Sequence, residues 1–227
     1  MRVLAIDTAL GACAAAILDT AYGGIIASES VPMIRGHAEA LMPLVARVMQ
    51  QSNLKFHDLD RVAATTGPGS FTGLRVGLAA ARGFGVATGL PVVGVSTLSV
   101  YAAPYLVADN RFQVVAAIDA RHQHVYLQVF GPDGRTVIAP RLAPLSEATR
   151  AASAVPSVLV GSAALAVTDG LAKSSPAPPT VDGRDAPDIA WVARIGAVTP
   201  EATSPPSPLY LRAPDTQPQN AAQLPRR

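Results

Sequence analysis

The densest group of residues that could do chemistry is the glycine-rich run Thr65-Thr66-Gly67-Pro68-Gly69-Ser70-Phe71-Thr72-Gly73-Leu74-Arg75-Val76-Gly77. Between an apolar strand and a helix, such a turn offers amide N–H groups at a helix N-terminus, an arrangement that can cradle phosphate. No Gly-Lys-Ser/Thr follows, so it is not a P-loop. The third glycine, Gly73, comes one residue late for a G-x-G-x-x-G dinucleotide fingerprint. Asp7 and Asp119 each close an apolar strand and precede a turn. A carboxylate there binds a metal-nucleotide, acts as a base, or caps its own turn. The candidate nucleotide-facing residues are therefore Asp7, Thr8, Gly67, Gly69 and Ser70.

The histidines are few. His37-x-Glu39 has the spacing of a zinc deaminase, but the Pro-Cys-x-x-Cys that must accompany it is missing, Cys13 being the single cysteine. His122 and His124 share a strand face and form half a metal site, or else a surface pair. No H-E-x-x-H, no G-x-S-x-G and no Cys/His pair is found. Gly73, Gly77 and Ala81 recur on one helix face alongside Gly85. Glycine inside a helix costs roughly 1 kcal/mol relative to alanine, so the run calls for close approach by another backbone. Another helix is expected to pack there, from the same chain or from a partner.

The elements that position these residues follow from periodicity. Arg2–Asp7, Gly11–Leu18 and Gly24–Ser30 read as a three-strand meander, and residues 36–51 as an amphipathic helix, kinked or restarted at Pro43. Arg61–Thr66 is a strand, Phe71–Thr88 a helix, Pro91–Val95 a strand, and Ser96 caps a helix to about Val107. Val3-Leu4-Ala5-Ile6-Asp7-Thr8 is echoed by Val115-Ala116-Ala117-Ile118-Asp119-Ala120 at four of six positions. After the echo come a strand at His124–Phe130, a strand at Arg135–Ala139, a helix around Leu145–Ala152 and a strand at Ser157–Val160. Two related α/β lobes are expected. The domains are then 1–107, 108–200 and a Pro-rich, partly disordered segment, 201–227, with the run after Gln217 disordered. A short helix at Asp188–Val198 is expected to dock on the second lobe.

The 227 residues, 49% hydrophobic, suffice for a buried core. A net charge of +2 lacks the basic density of a protein that grips nucleic acid by itself, since residues 1–110 carry seven basic and seven acidic side chains and residues 111–227 eleven and nine. No apolar stretch approaches the roughly 20 residues of a membrane span, so no membrane association is expected. One cysteine and no signal-peptide h-region point to the cytoplasm.

Val3–Thr8, Gly36-His37-Ala38-Glu39-Ala40-Leu41-Met42-Pro43, Thr66–Gly77 and Pro91-Val92-Val93-Gly94-Val95-Ser96-Thr97-Leu98 resemble the bacterial TsaB (YeaZ-like) family, as do Asp119-Ala120-Arg121 and Leu209–Asp215. The resemblance is dense over residues 1–130 and thin beyond. It implies a two-lobed actin-like ATPase (ASKHA, ribonuclease H-like) fold with βββαβα lobes. It also implies a role in making threonylcarbamoyladenosine beside the tRNA anticodon, as the non-catalytic paralogue that pairs with the catalytic subunit TsaD, the ATPase TsaE docking on the pair. In the catalytic paralogue two histidines bind the metal where this chain has Thr97 and Tyr101. The resemblance further implies a homodimer when alone, tRNA contact only through the complex, no cofactor of its own, and ATP or ADP, if any, at the heterodimer interface. The pairing surface it implies comprises His37, Leu41, Leu44, Val45, Val48, Phe71, Gly73, Leu74, Arg75, Gly77, Leu78 and Ala81, so that Gly77→Leu would abolish pairing yet leave a folded monomer. The competing expectations are an autonomous ASKHA ATPase or kinase using Asp7 and Asp119, a metallopeptidase-like enzyme, or a stand-alone signalling homodimer.

Overall fold

The computed structural model describes residues 1–109, 111–172, 178 and 180–212. The expected disorder after Gln217 lies outside the described residues, as do Ala213–Asp215. Three strands, β1 (Arg2–Asp7), β2 (Ala12–Asp19) and β3 (Gly24–Pro32), lead to helix α1 (His37–Ser52). Then follow β4 (Arg61–Gly67), α2 (Phe71–Thr88), β5 (Val92–Ser96) and α3 (Thr97–Ala108). The second half gives β6 (Gln113–Asp119), β7 (His124–Phe130), β8 (Thr136–Pro144), α4 (Leu145–Ala154), β9 (Ser157–Val160), α5 (Ala164–Asp169), β10 (Val181–Asp182) and α6 (Ile189–Val198). Helix α1 starts at His37 and carries Pro43 inside it rather than restarting there; Pro43 faces solvent, where the missing N–H is least harmful.

The sequence echo is a topological repeat. The first sheet has the order β3-β2-β1-β4-β5 and the second β10-β9-β6-β7-β8, which read from β8 repeats the first. In each, the central strand pairs antiparallel with the next strand and parallel with the strand that follows the helix. The two-residue period of β1 sends Leu4 and Ile6 to one face, where they meet Leu41, Leu44, Val45 and Val48 of α1 and Leu78 and Ala81 of α2. Val3 and Ala5 go to the other face, against Ile189, Val192 and Ala193 of α6. In β6, Val115 and Ala117 meet α4 and α5, while Val114, Ala116 and Ile118 meet Leu98, Tyr101 and Ala102 of α3. Helices α3 and α6 thus lie between the sheets, and α1 with α2 and α4 with α5 cover the outer faces.

The placement of α6 corrects one expectation. The helix docks on the first lobe, because its face of small residues fits the alanine-rich side of β1, β2 and β4, with Gly196 set directly on Ala63. Its C-terminus is fixed by Arg61, 7% exposed, whose Nη1 donates to the carbonyls of Gly196 (2.9 Å) and Thr199 (2.7 Å) while Nη2 reaches Glu201 Oε1 at 3.0 Å. Hydrogen bonds from a charged group contribute about 1.5–3 kcal/mol. Arg61→Met is therefore expected to lower the urea unfolding free energy by about 3 kcal/mol with an unchanged m-value; a change under 1 kcal/mol would contradict this role.

Candidate functional site

The carboxyl ends of β1, β4 and β5 converge at the junction between the lobes, where an open α/β sheet ordinarily takes its ligand. Asp7 stands there, fully buried. Its Oδ1 accepts from Thr65 Oγ1 at 2.6 Å and from the Ala9 amide at 3.0 Å, and Oδ2 has no partner among the described residues. Burial raises its pKa, and the bond from Thr65 only partly offsets that. Thr8, next along, is buried and donates to Gly73 O at 2.7 Å.

Two amides of the glycine-rich turn are used within the chain. The Ser70 N–H donates to Ala9 O at 2.7 Å, and the Gly73 N–H to Ser70 Oγ at 3.0 Å. Gly69 lies on the Ala9 carbonyl and Gly73 on the Thr8 carbonyl, each so close that a Cβ would collide. Gly67, at φ 109°, faces Leu74 and Leu209. The expectation for Gly67, Gly69 and Ser70 changes accordingly: the inner side of the turn cradles the chain's own β1–β2 connection rather than an open phosphate site. The helix expected against Gly73 and Gly77 is likewise replaced by this connection, since a Cβ on Gly77 would lie 2.5 Å from Thr8 Oγ1.

The junction is closed from the far side by residues 182–187. Asp185 O accepts from the Gly11 amide at 3.2 Å, Arg184 O from Tyr101 Oη at 3.0 Å, and Asp182 Oδ2 from Tyr105 Oη at 2.7 Å. Burial, then the nearby Asp7 and Asp185 carboxylates, raise the Tyr101 hydroxyl. Thr97 is fully buried on the same helix. A buried hydroxyl and a buried phenol bonded to backbone do not fit a two-imidazole metal set. Among the described residues no group of three or more His, Cys, Asp or Glu is placed to hold a metal, His122 and His124 included. Cys13 is buried, which pushes its thiol up to about 11, away from thiolate chemistry.

The burial of Asp7 also makes stability depend on pH. Its raised native pKa means that ionisation opposes folding, so the contribution of Asp7 to stability is greatest below the ordinary carboxylate range and is lost as pH rises through the native pKa. Asp7→Asn should flatten that fall and be the more stable form at pH 7, by about 1.4 kcal/mol for each unit of elevation. Parallel melting curves of the two proteins from pH 4 to 8 would contradict it.

The residues expected to form a pairing surface divide. Leu41, Leu44, Val45, Val48, Gly73, Leu74, Gly77, Leu78 and Ala81 are buried inside the first lobe. The correction has a simple cause: a periodic apolar stripe marks the helix face that meets the chain's own sheet. His37 is also buried, its Nε2 3.2 Å from Leu10 O. Arg75 is exposed and stacks 3.7 Å over Phe71. The outward faces of the two helices carry Ala38, Met42 and Ala46 on α1 and Ala79, Gly83 and Val86 on α2, with Met42 52% and Val86 88% exposed.

Residues 201–212, expected as part of the Pro-rich, partly disordered segment, form a strap along α2 and β5. Pro206 O accepts from Arg82, the Leu209 amide donates to Thr66 O at 2.8 Å, Tyr210 packs on Phe71 and accepts from Arg75, and Arg212 Nη1 donates to Ala120 O in the second lobe at 2.9 Å. A cleft of about 550 Å³ lies between the strap and the end of α2, but its charged groups, Arg82 and Glu201, already bond to the Pro206 carbonyl and to Arg61. The sequence signal for the strap is the Leu209–Asp215 motif; nothing local marks the closing segment at 182–187. No helix among the described residues is long and apolar enough to cross a membrane.

Two lobes of the same topology, with a crossover helix from each packed between the sheets, define an actin-like ATPase fold. The model of the TsaD family, tRNA N6-adenosine threonylcarbamoyltransferase, matches residues 13–160. The chain belongs to this family and is TsaB/YeaZ-like within it. It is 37% identical to the Escherichia coli K12 tRNA threonylcarbamoyladenosine biosynthesis protein TsaB over 126 residues, 56% of this chain and 53% of that one. It thus spans about half the length of the TsaB relatives it matches. An uncharacterized Mycobacterium tuberculosis protein is 34% identical over 218 residues, covering 95% of this chain and 94% of its own. A solved Pseudomonas aeruginosa structure, described as similar to peptidase YeaZ, superposes with a TM-score of 0.76 at 25% identity, covering 93% of this chain and 99% of that one.

Proposed function

We propose that the chain is a non-catalytic activating subunit in tRNA threonylcarbamoyladenosine formation, pairing with a TsaD-like catalytic subunit on which a TsaE-like ATPase also acts. The observation that carries this reading is the state of the catalytic positions. By the family resemblance Thr97 and Tyr101 take the positions of metal-binding imidazoles; both are buried, and the Tyr101 hydroxyl donates to Arg184 O. The glycine-rich turn, filled by Ala9 and Thr8, supports the same reading against an autonomous ATPase. The subunit would pair through the outward faces of α1 and α2, as a homodimer when alone, with the catalytic subunit taking the same face. Any ATP or ADP then lies at the pairing interface rather than in the closed junction, and tRNA is met only in the assembly.

The test is turnover by the purified chain alone. It should release no phosphate from ATP and cleave no peptide above a buffer blank. Phosphate release that saturates with ATP and is lost in Asp7→Asn would favour the autonomous ATPase.

A further inference from the structure

The connection from β6 to β7 holds three consecutive residues with side chains in left-handed backbone: φ is 64° at Arg121, 52° at His122 and 58° at Gln123. Each such residue costs roughly 1–2 kcal/mol. The fold does not demand the cost. The equivalent β1–β2 connection of the first lobe, Thr8–Gly11, has no residue with positive φ. That connection is largely buried, under the glycine-rich turn, whereas Arg121, His122, Gln123 and His124 are all exposed. The strained turn is nonetheless firmly held. The Arg121 amide donates to Asp119 Oδ1 at 2.8 Å and the His124 amide to Arg121 O at 3.0 Å. The Asp119 amide donates to Ser162 Oγ at 3.0 Å, the Leu145 amide to Gln123 O at 2.8 Å, and Arg212 of the strap to Ala120 O.

The product is a rigid convex turn that projects one guanidinium and two imidazoles at the end of the second sheet. Arg121 makes no ion pair among the described residues, and His124 Nδ1, 2.7 Å from His122 O, leaves its Nε2 directed away from the backbone. The guanidinium of Arg121 and the N–H groups of His122, Gln123 and His124 stand exposed on this turn, a set of donors that suits phosphodiester oxygens better than a peptide that needs a side-chain pocket. We propose that this turn is an RNA-phosphate contact, which orients the tRNA backbone once the chain is in its assembly. The inference rests on the reading under Proposed function. The near-neutral surface elsewhere makes it a positioning contact, not an autonomous RNA site.

The test is the triple variant Arg121→Gln, His122→Gln, His124→Gln. Glutamine already occupies left-handed backbone at position 123, so the turn is retained. In the complex with the catalytic subunit, tRNA binding measured by filter retention should weaken about tenfold. The slope of log affinity against log salt should fall by about one, near 0.7–0.9 for the one phosphate that Arg121 no longer neutralises. The KM for tRNA should rise with kcat unchanged, and co-elution with the catalytic subunit should be retained. Unchanged tRNA affinity and salt slope would overturn the proposal while leaving the subunit reading intact. Unchanged tRNA binding with abolished association of the ATPase would also overturn it, assigning the turn to an acidic protein surface. If wild-type complex forms product equally well without this chain, the subunit reading itself fails, and filter retention still reports on the turn directly.

Discussion

Replacing Gly73 with alanine is expected to lower the thermal midpoint by roughly 6–12 °C. The first turn of α2 lies on the β1–β2 connection, and a Cβ at position 73 would collide with the Thr8 carbonyl. That carbonyl belongs to backbone fixed by the Thr8 Oγ1 bond to Gly73 O (2.7 Å) and by the neighbouring Ser70–Ala9 bond (2.7 Å), so it cannot yield as a flexible side chain would. Overpacking against such backbone costs about 3 kcal/mol, and each kcal/mol moves the midpoint of a chain this size by about 2–4 °C. A graded series is the control. Gly77→Ala meets the Thr8 hydroxyl at 2.5 Å and should cost less, whereas Gly83 has nothing within 4 Å and should gain about 0.5–1 kcal/mol as alanine. Equal midpoints for the three variants, by calorimetry, would contradict the role given to the glycine turn.

Met42→Glu should weaken pairing with the catalytic subunit by more than about 100-fold and leave the fold alone. Met42 is 52% exposed, between Ala38 and Ala46 on the outward face of α1, and belongs to neither the core of the first lobe nor its edge. A carboxylate there is solvated in the monomer, so stability should change by no more than about 0.5 kcal/mol. At a paired helical interface it becomes an unpartnered buried charge, a penalty of several kcal/mol, and a factor of about 100 corresponds to about 2.7 kcal/mol. Titration calorimetry with the catalytic subunit and a melting curve of the variant check both halves. An unchanged dissociation constant would place pairing elsewhere. This substitution replaces Gly77→Leu, which strikes Thr8 inside the lobe and cannot separate pairing from folding.

The contrast between these residues explains what the sequence discloses. The meander, both outer helices and the repeated central strand are legible because apolar periodicity reports which residues the chain itself buries. Leu41, Leu44, Val45 and Val48 are an example, and for that reason they cannot mark a partner's surface. The outward surface is made of Ala38, Met42, Ala79 and Gly83, mostly small residues whose four-residue spacing is too weakly apolar to stand out beside the core stripe. Glycines 69 and 73 are legible as a demand for close approach but not as to what approaches, because Thr8 and Ala9 lie about 60 positions away in the chain. The same holds for α6: its amphipathic run is visible, but its choice of sheet depends on alanines in β1, β2 and β4 and on Arg61, a long-range pairing that no local pattern encodes. The left-handed residues at 121–123 give no sign at all, since arginine, histidine and glutamine do not demand that conformation as glycine does.

An activating subunit that does no chemistry itself makes product possible only through its catalytic partner. The decisive measurement is omit-one reconstitution of tRNA threonylcarbamoylation, with the catalytic subunit, the ATPase, threonylcarbamoyl-AMP and tRNA present and this chain supplied or withheld. Product should form only when both this chain and the catalytic subunit are present, and none from this chain with the catalytic subunit left out. Equal product without the chain, or product from the chain in the absence of the catalytic subunit, would contradict it.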